Sequence, residues 1–442
     1  MIISLTGACS YVPRLLHYIT IPVQEDAPLL PPTTSNRRWP VMIFSHGLGG
    51  SRNAYSHIAG SIASHGVIVV APEHRDGSTP ISFVRDPSPN AKSEKHFHRK
   101  PSRKTVDYVK LPHTPGPEVE NSRNAQLKIR LWELGLIHDS LLKVDQGVEV
   151  TNLDTASAAL SQFRDVMDVH TPGKIAFAGH SFGAATVAQL LKSTYYSPQL
   201  ITAPTEFKAL FTPSSDSTIV AQITPRSPLI LLDVWCLALR AATSRWLWNL
   251  PLPSYAPGGA GGSTILAVES QAFFKWRIHL KATKKLISPN PGSDEYDFKK
   301  GQIAEPNFFY ATTSQHLSQS DFGILFPWVG KRFMHIEDPD RILRLNTRAI
   351  LQVMRNSGIE VAPTSRQDME LTEDDASDTR LDQAILQKTD VVKGWKWITT
   401  DVSDLGDVDL ETAASREELE NTADAAPAGG DALSREKSSE RL

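Results

Sequence analysis

Residues 175–191, IAFAGHSFGAATVAQLL, decide the fold. IAFA reads as a short buried strand and Ala184–Leu191 as the helix that follows it. Between them, Gly179-His180-Ser181-Phe182-Gly183 fits G-x-S-x-G, a sharp strand-to-helix turn. Such a turn leaves no room for side chains at its flanking positions, hence glycine at both. It lifts the Ser181 hydroxyl out of the sheet and sets backbone N–H groups of a helix N-terminus beside it. An anion formed there is stabilised by those donors and by the helix dipole. Ser181 is the candidate nucleophile.

Working outward, Val41–Ser45 (VMIFS) is an apolar run closed by the glycine turn HGLGG, and Gly66–Ala71 (GVIVVA) is a second run stopped by Pro72. Tyr55, Ile58, Ala59 and Ile62 give the segment between them helical spacing. Strand, helix and strand with continuous apolar strands predict a mostly parallel sheet with helices on both faces, here the α/β-hydrolase fold. Leu127, Leu131, Leu134 and Ile137 place a helix over 124–142. Leu229–Leu232, Thr264–Val268 and Phe308–Ala311 read as further strands, and Ile342, Leu345, Ala349 and Val353 as a last helix.

An elbow of this kind takes one oxyanion donor from the residue after the nucleophile, Phe182, and another from the turn after an earlier strand. HGLGG is the supplier, through Leu48. The partners follow in the order acid, then histidine, at strand ends. Asp233 directly ends the strand Leu229–Leu232; Glu269, after Thr264–Val268, is the rival acid. Three histidines follow Asp233. His279 sits in FFKWRIHLKATKK, which reads as a basic amphipathic face, and His335 precedes the last helix. His316 lies on the loop TTSQHLSQSDF just after FFYA, where a base should sit.

With these residues in hand, the chain resembles the platelet-activating factor acetylhydrolase family, the calcium-independent group VII-type phospholipases A2, and its fungal members in particular. HGLG, EHRDGS, GHSFG and LDVW occur together and in order, and the resemblance covers roughly 41–322 with the helix Leu343–Met354. It implies Ser181 as nucleophile, Asp233 and His316 as partners, and Leu48 and Phe182 as oxyanion donors. It also implies cleavage of short or oxidised sn-2 acyl esters of phospholipids, without metal or organic cofactor. The family has a longer N-terminal part, so the expectation here is a shortened lead-in or a differently built sheet edge. A general carboxylesterase or polyester hydrolase would share the elbow and triad. A non-catalytic lipid-binding scaffold would have no need for all three residues.

Composition bounds the rest. The 46 Lys and Arg against 49 Asp and Glu leave −3, which argues against a nucleic-acid partner. The charge is uneven: Arg366–Leu442 holds 20 acids and 9 bases, net −11, on a body of +8. Residues 1–360 are expected to form the catalytic domain, with 1–40 as lead-in, and 361–442 an acidic, largely disordered tail. Within it Val391–Leu405, with Trp395 and Trp397, is an apolar island. Two cysteines, Cys9 and Cys236, make no disulfide scaffold or Cys-rich zinc site, and the expectation is two separate reduced thiols rather than one bridge. No apolar run approaches the roughly 18–20 residues of a membrane span, and the N-terminus is a poor signal peptide. The expectation is a cytoplasmic enzyme, with transient contact to a membrane or lipoprotein surface and the oligomeric state left open.

Other conspicuous residues have two readings. Glu73-His74-Arg75-Asp76 suits an ion-pair network better than a metal cluster, and His46 and His180 suit packing within their turns better than base chemistry. Lys92–Lys104 reads as a solvated loop or a head-group contact. Trp246–Pro253 reads equally as an acyl-chain interface or a buried loop.

Overall fold

Val41–Ser45 (β1) is apolar along most of its length because both of its faces are covered. Val41 and Ile43 pack with Leu127, Leu131 and Leu134 on one side of the sheet, while Met42 and Phe44 pack with Ile58, Ile62 and Ile342 on the other. A side-chain period of two thus divides one hydrophobic run between two cores. The computed structural model describes residues 23–84, 104–112, 116–152, 160–214, 216–293, 298, 302–369, 380–389, 391–402 and 405.

After β1 come helix α1 (Ser56–Ser64), strand β2 (Ile68–Val70) and an antiparallel hairpin of β3 (Ile81–Val84) and β4 (Lys104–Asp107). Helix α2 (Pro117–Asp145) opens with Pro at its start and Glu118 and Glu120 in its first turn, where fixed φ and negative charge both suit a helix N-terminus. Strand β5 (Ile175–His180), helix α3 (Phe182–Tyr195), β6 (Leu229–Leu232), β7 (Ile265–Ser270), α4 (Arg277–Leu286), β8 (Asn307–Ala311), α5 (Pro327–Phe333) and α6 (Pro339–Asn356) follow. With β9 at Trp395–Trp397, the sheet order is β2-β1-β5-β6-β7-β8-β9, parallel through β8. Helices α2, α3 and α4 line one core and α1 and α6 the other, which is the α/β-hydrolase arrangement. The turns after β1, β5, β6 and β8 gather at the C-terminal edge, where ligands of open parallel sheets bind.

The last strand, β9 (Trp395–Trp397), lies in the stretch expected to be tail. It pairs antiparallel with β8, and Trp395 is buried, stacked on Phe309 at 5.4 Å with its Nε1 donating to Ile385 O at 2.8 Å. Asp382 meets Arg355 at 2.8 Å and so ties this region to α6. The sheet therefore runs past residue 360. The average acidity of the segment conceals two tryptophans that cover an otherwise open sheet edge.

The open reading of Trp246–Pro253 resolves as core: Leu247, Trp248 and Leu252 are buried, and buried Lys192 donates to Trp248 O at 2.9 Å. Cys236 is a buried thiol whose pKa burial pushes up to about 12, an unreactive setting. Cys9 and nearly all of Lys92–Lys104 lie outside the described residues. No described helix is long and apolar enough to cross a membrane.

Candidate active site

Ser181 sits at φ 56°, ψ −118°, a backbone conformation that a side chain rarely adopts and that is sustained only by its surroundings. Ser181 N donates to Leu232 O at 2.9 Å, and its carbonyl accepts Trp235 N at 3.2 Å and Ala185 N at 3.1 Å. The flanking glycines are a steric requirement. A Cβ on Gly183 would come within 2.0 Å of Ser45 O, and one on Gly179 within 2.4 Å of the Gly183 carbonyl carbon. The serine is 6% exposed, at the edge of the sheet.

Asp233, one residue past β6, also has positive φ, 43°. Its N–H donates to Val268 O at 2.8 Å, and its Oδ1 accepts Ser270 N at 2.5 Å. Its Oδ2 accepts from His316 Nδ1 at 3.0 Å. With the proton on Nδ1, the His316 Nε2 lone pair is left free to act as a base. The imidazole lies between two rings: Phe273 stacks on it at 4.4 Å and 6°, and His180 at 4.4 Å and 36°. Ser181 Oγ forms no hydrogen bond with a described residue. Donor atoms of His180, Asp233 and His316 lie within 4.8 Å of one another, but Asp233 and His316 already pair with each other and His180 Nδ1 with Tyr55.

The rival acid, Glu269, is the next-to-last residue of β7, is fully buried and does not bond His316. Burial, then the charge of Asp233, raises its pKa well above the ordinary 4.5. His279 does not lie on the basic face that its segment suggests. It is buried between Phe273 and Trp276, its Nε2 accepts Cys236 N at 3.2 Å, and burial followed by the charge of His316 lowers its pKa to about 3. The α4 sequence presents its histidine inward because the aromatic residues before it close over that side. His335 lines a cavity of about 360 Å³ beside His316, together with Phe273, Trp276, Gln315 and Glu337.

The turn after β1 is tied down from several directions. Gly49 N donates to Ser78 O at 2.8 Å, and Gly47 N to Tyr55 Oη at 3.0 Å. Tyr55 Oη in turn donates to His180 Nδ1 at 2.8 Å, joining this turn to the elbow. Neither the Leu48 nor the Phe182 N–H finds an acceptor among the described residues. His46 packs within its turn, its Nδ1 donating to Gly47 O and its Nε2 accepting His74 N. Burial, then Arg130, pushes its pKa well below 6.5, and burial, then His316, does the same for His180.

The EHRD segment forms the ion-pair network read from the sequence. His74 bridges Ser45 Oγ at 2.8 Å and Glu133 at 2.7 Å, and Asp76 meets Arg130 at 2.7 Å. Burial would raise the Asp76 carboxyl, but Arg130 and Ser78 hold it at about 2; burial pushes Glu133 up to about 7. Sequence reasoning missed Arg130, Glu133, Tyr55 and Phe273. A signal was present in α2, where Arg123, Gln126, Arg130 and Glu133 recur at helical spacing beside the leucine stripe.

Three comparisons bear on the chain. The model of the family described as platelet-activating factor acetylhydrolase, isoform II, matches residues 9–210. A putative phospholipase A2 of Schizosaccharomyces pombe is 29% identical over 77% of this chain and 73% of its own. Platelet-activating factor acetylhydrolases of Cavia porcellus and Canis lupus familiaris are each 34% identical, over 42% and 39% of this chain, and the match takes in only 39% and 35% of their length. A ferulic acid esterase from Streptomyces cinnamoneus aligns with TM-score 0.35 and 12% identity, over 72% of this chain and 66% of that one. The resemblance read from the sequence is borne out, and the matched residues take in HGLG, EHRDGS and GHSFG, while LDVW at 232–235 lies beyond them.

Proposed function

We propose that this chain, similar to the platelet-activating factor acetylhydrolases, is a serine ester hydrolase that removes short or oxidised sn-2 acyl groups from phospholipids. The observation that carries the chemistry is the Asp233–His316 pair, formed at 3.0 Å beside a serine on a strained elbow. The substrate class rests on the family resemblance and on relatives named as phospholipase A2 and platelet-activating factor acetylhydrolase.

In this reading His316 Nε2 takes the proton from Ser181 as its oxygen attacks the sn-2 carbonyl. The hydrogen bond between them closes as substrate binds, as such contacts commonly do. The tetrahedral oxyanion accepts from Leu48 and Phe182 N–H, each donor contributing about 3–4 kcal/mol where one has been removed elsewhere. His316 then gives its proton to the leaving lysophospholipid oxygen, which leaves an acyl-Ser181. Water enters, gives a proton to His316 and its oxygen to the acyl carbon. Free acid departs and Ser181 is restored. Asp233 holds the tautomer and stabilises the imidazolium. No step calls on calcium.

Contact with a lipid surface is part of the proposal. Trp328 and Phe333, 69% and 64% exposed, pair edge to face at 5.6 Å on α5, the helix that follows the His316 segment, with Lys331 and Arg332 between them. Exposed aromatic residues beside cations suit the boundary between head groups and acyl chains. The same reading takes the enzyme as cytoplasmic, meeting its substrate at such a surface.

The test is turnover of a 2-acetyl phosphatidylcholine, a long-chain phosphatidylcholine and p-nitrophenyl acetate by the purified protein and its Ser181→Ala variant. Expected is hydrolysis of the first and third by the native protein and neither by the variant. Cleavage of the aryl ester alone would reject the phospholipid assignment. Undiminished turnover by Ser181→Ala would reject the nucleophile.

A further inference from the structure

Arg130, on α2, touches both segments proposed to supply oxyanion donors, the first through its backbone and the second through a side-chain ring. Its Nη1 donates to His46 O at 2.7 Å, two residues before Leu48. Its guanidinium lies over the Phe182 ring, 4.4 Å from the centroid. Its Nη2 donates to Ser78 Oγ at 2.5 Å, and Ser78 O receives Gly49 N at 2.8 Å, one residue after Leu48. Leu48 is thus bracketed on both sides by groups that Arg130 fixes, and Phe182 is held from the other direction by the same planar group. Nε completes the set on Asp76 Oδ2 at 2.7 Å.

Both charges are fully buried. A buried ion pair is seldom a gain in stability over apolar side chains of similar volume, so its retention calls for another reason. The guanidinium supplies one: a rigid fork donates in several directions while its face stacks on an aromatic ring, which a lysine cannot reproduce.

We infer that Arg130 is a positioning residue that sets the separation of the Leu48 and Phe182 N–H groups, and so the fit of the site to the tetrahedral oxyanion. This rests on the ester-hydrolase reading above. The fit is demanding: donors act from about 2.7–3.1 Å, and a misplacement of about 1 Å can lower turnover on the order of a hundredfold.

Two variants test it. Arg130→Lys keeps a charge for Asp76. Arg130→Met combined with Asp76→Asn removes the charge from both, so that no buried carboxylate is left unpaired. Active sites are counted with a fluorophosphonate, turnover of p-nitrophenyl acetate is expressed per labelled site, and inhibition by a trifluoromethyl ketone, which forms a tetrahedral adduct, is measured alongside. Expected in each folded variant is a fall in kcat of about ten- to a hundredfold, KM within about twofold, and a parallel rise in the ketone Ki. Damage confined to folding would lower the count of labelled sites and leave kcat per site intact. An unchanged kcat per site and Ki in either folded variant overturns the inference while leaving Ser181 chemistry standing. Absence of esterase activity in the native protein would instead reject the reading it rests on.

Discussion

Phe273 lies flat against His316, ring centroids 4.4 Å apart and planes 6° from parallel. A stacked ring restricts rotation of the imidazole about the bond that would otherwise let it swing from Asp233. Both residues hang from neighbouring strand ends, Phe273 just after β7 and His316 just after β8.

Replacing Phe273 with Leu should therefore affect both rate and fold. The loss of an aromatic pair and some buried area costs about 1–2 kcal/mol, and kcat on a soluble ester should fall about tenfold as the imidazole samples unproductive rotamers. Thermal melting and steady-state kinetics measure the two effects. Native turnover in the variant would show that Asp233 alone orients the ring.

The two carboxyl groups should respond oppositely to amide substitution. Asp233→Asn retains shape but donates where it should accept, favouring the wrong imidazole tautomer. In the serine-protease case such a change lowers turnover about 10⁴-fold. Glu269→Gln should leave turnover nearly unchanged, since Glu269 does not bond His316 and its surroundings already favour the neutral carboxyl.

Glu269 also predicts a pH effect on stability. Its pKa is raised in the folded chain. Stability linked to it is then complete below the ordinary carboxyl pKa of about 4.5 and is lost as pH rises toward the folded value. Glu269→Gln escapes that loss. Its melting temperature should match the native protein near pH 4 and exceed it by a margin that grows toward neutral and alkaline pH. A constant margin would mean that Glu269 is ionised in the folded state.

Shortening the chain separates tail from sheet. A chain ending at residue 361 lacks β9, which exposes Phe309 and the outer edge of β8, and it should melt well below one ending at 405. Equal melting temperatures would show that Trp395 contributes nothing to the fold.

The exposed pair on α5 should matter only at a surface. Trp328→Ala with Phe333→Ala should weaken sedimentation with anionic phospholipid vesicles several-fold and leave p-nitrophenyl acetate turnover alone. Undiminished vesicle binding would remove α5 from the proposed contact.

The sequence made some of this legible and concealed the rest for identifiable reasons. Ser181, Asp233, His316 and the turn around Leu48 each follow an apolar strand, so local pattern is enough to find them. Arg130 reads as one more charge on a long helix, because its partner Asp76 is 54 positions away and burial is set by the chain folding back. His279 reads as part of a basic face because α4 carries lysines at several positions; the aromatic cover from Phe273 and Trp276 reverses that. The strand at Trp395 was hidden by the acidity of its neighbours, since composition averages over a window and three residues suffice to cap a sheet.

That final strand has a consequence for how the chain is made. Every other strand of the sheet has emerged from the ribosome once β8 is complete, yet β8 then presents a bare row of peptide groups and Phe309 on its outer side. Unpaired edges of this sort recruit other chains. Until Trp395–Trp397 pairs with β8, that row stays open to strands of neighbouring copies.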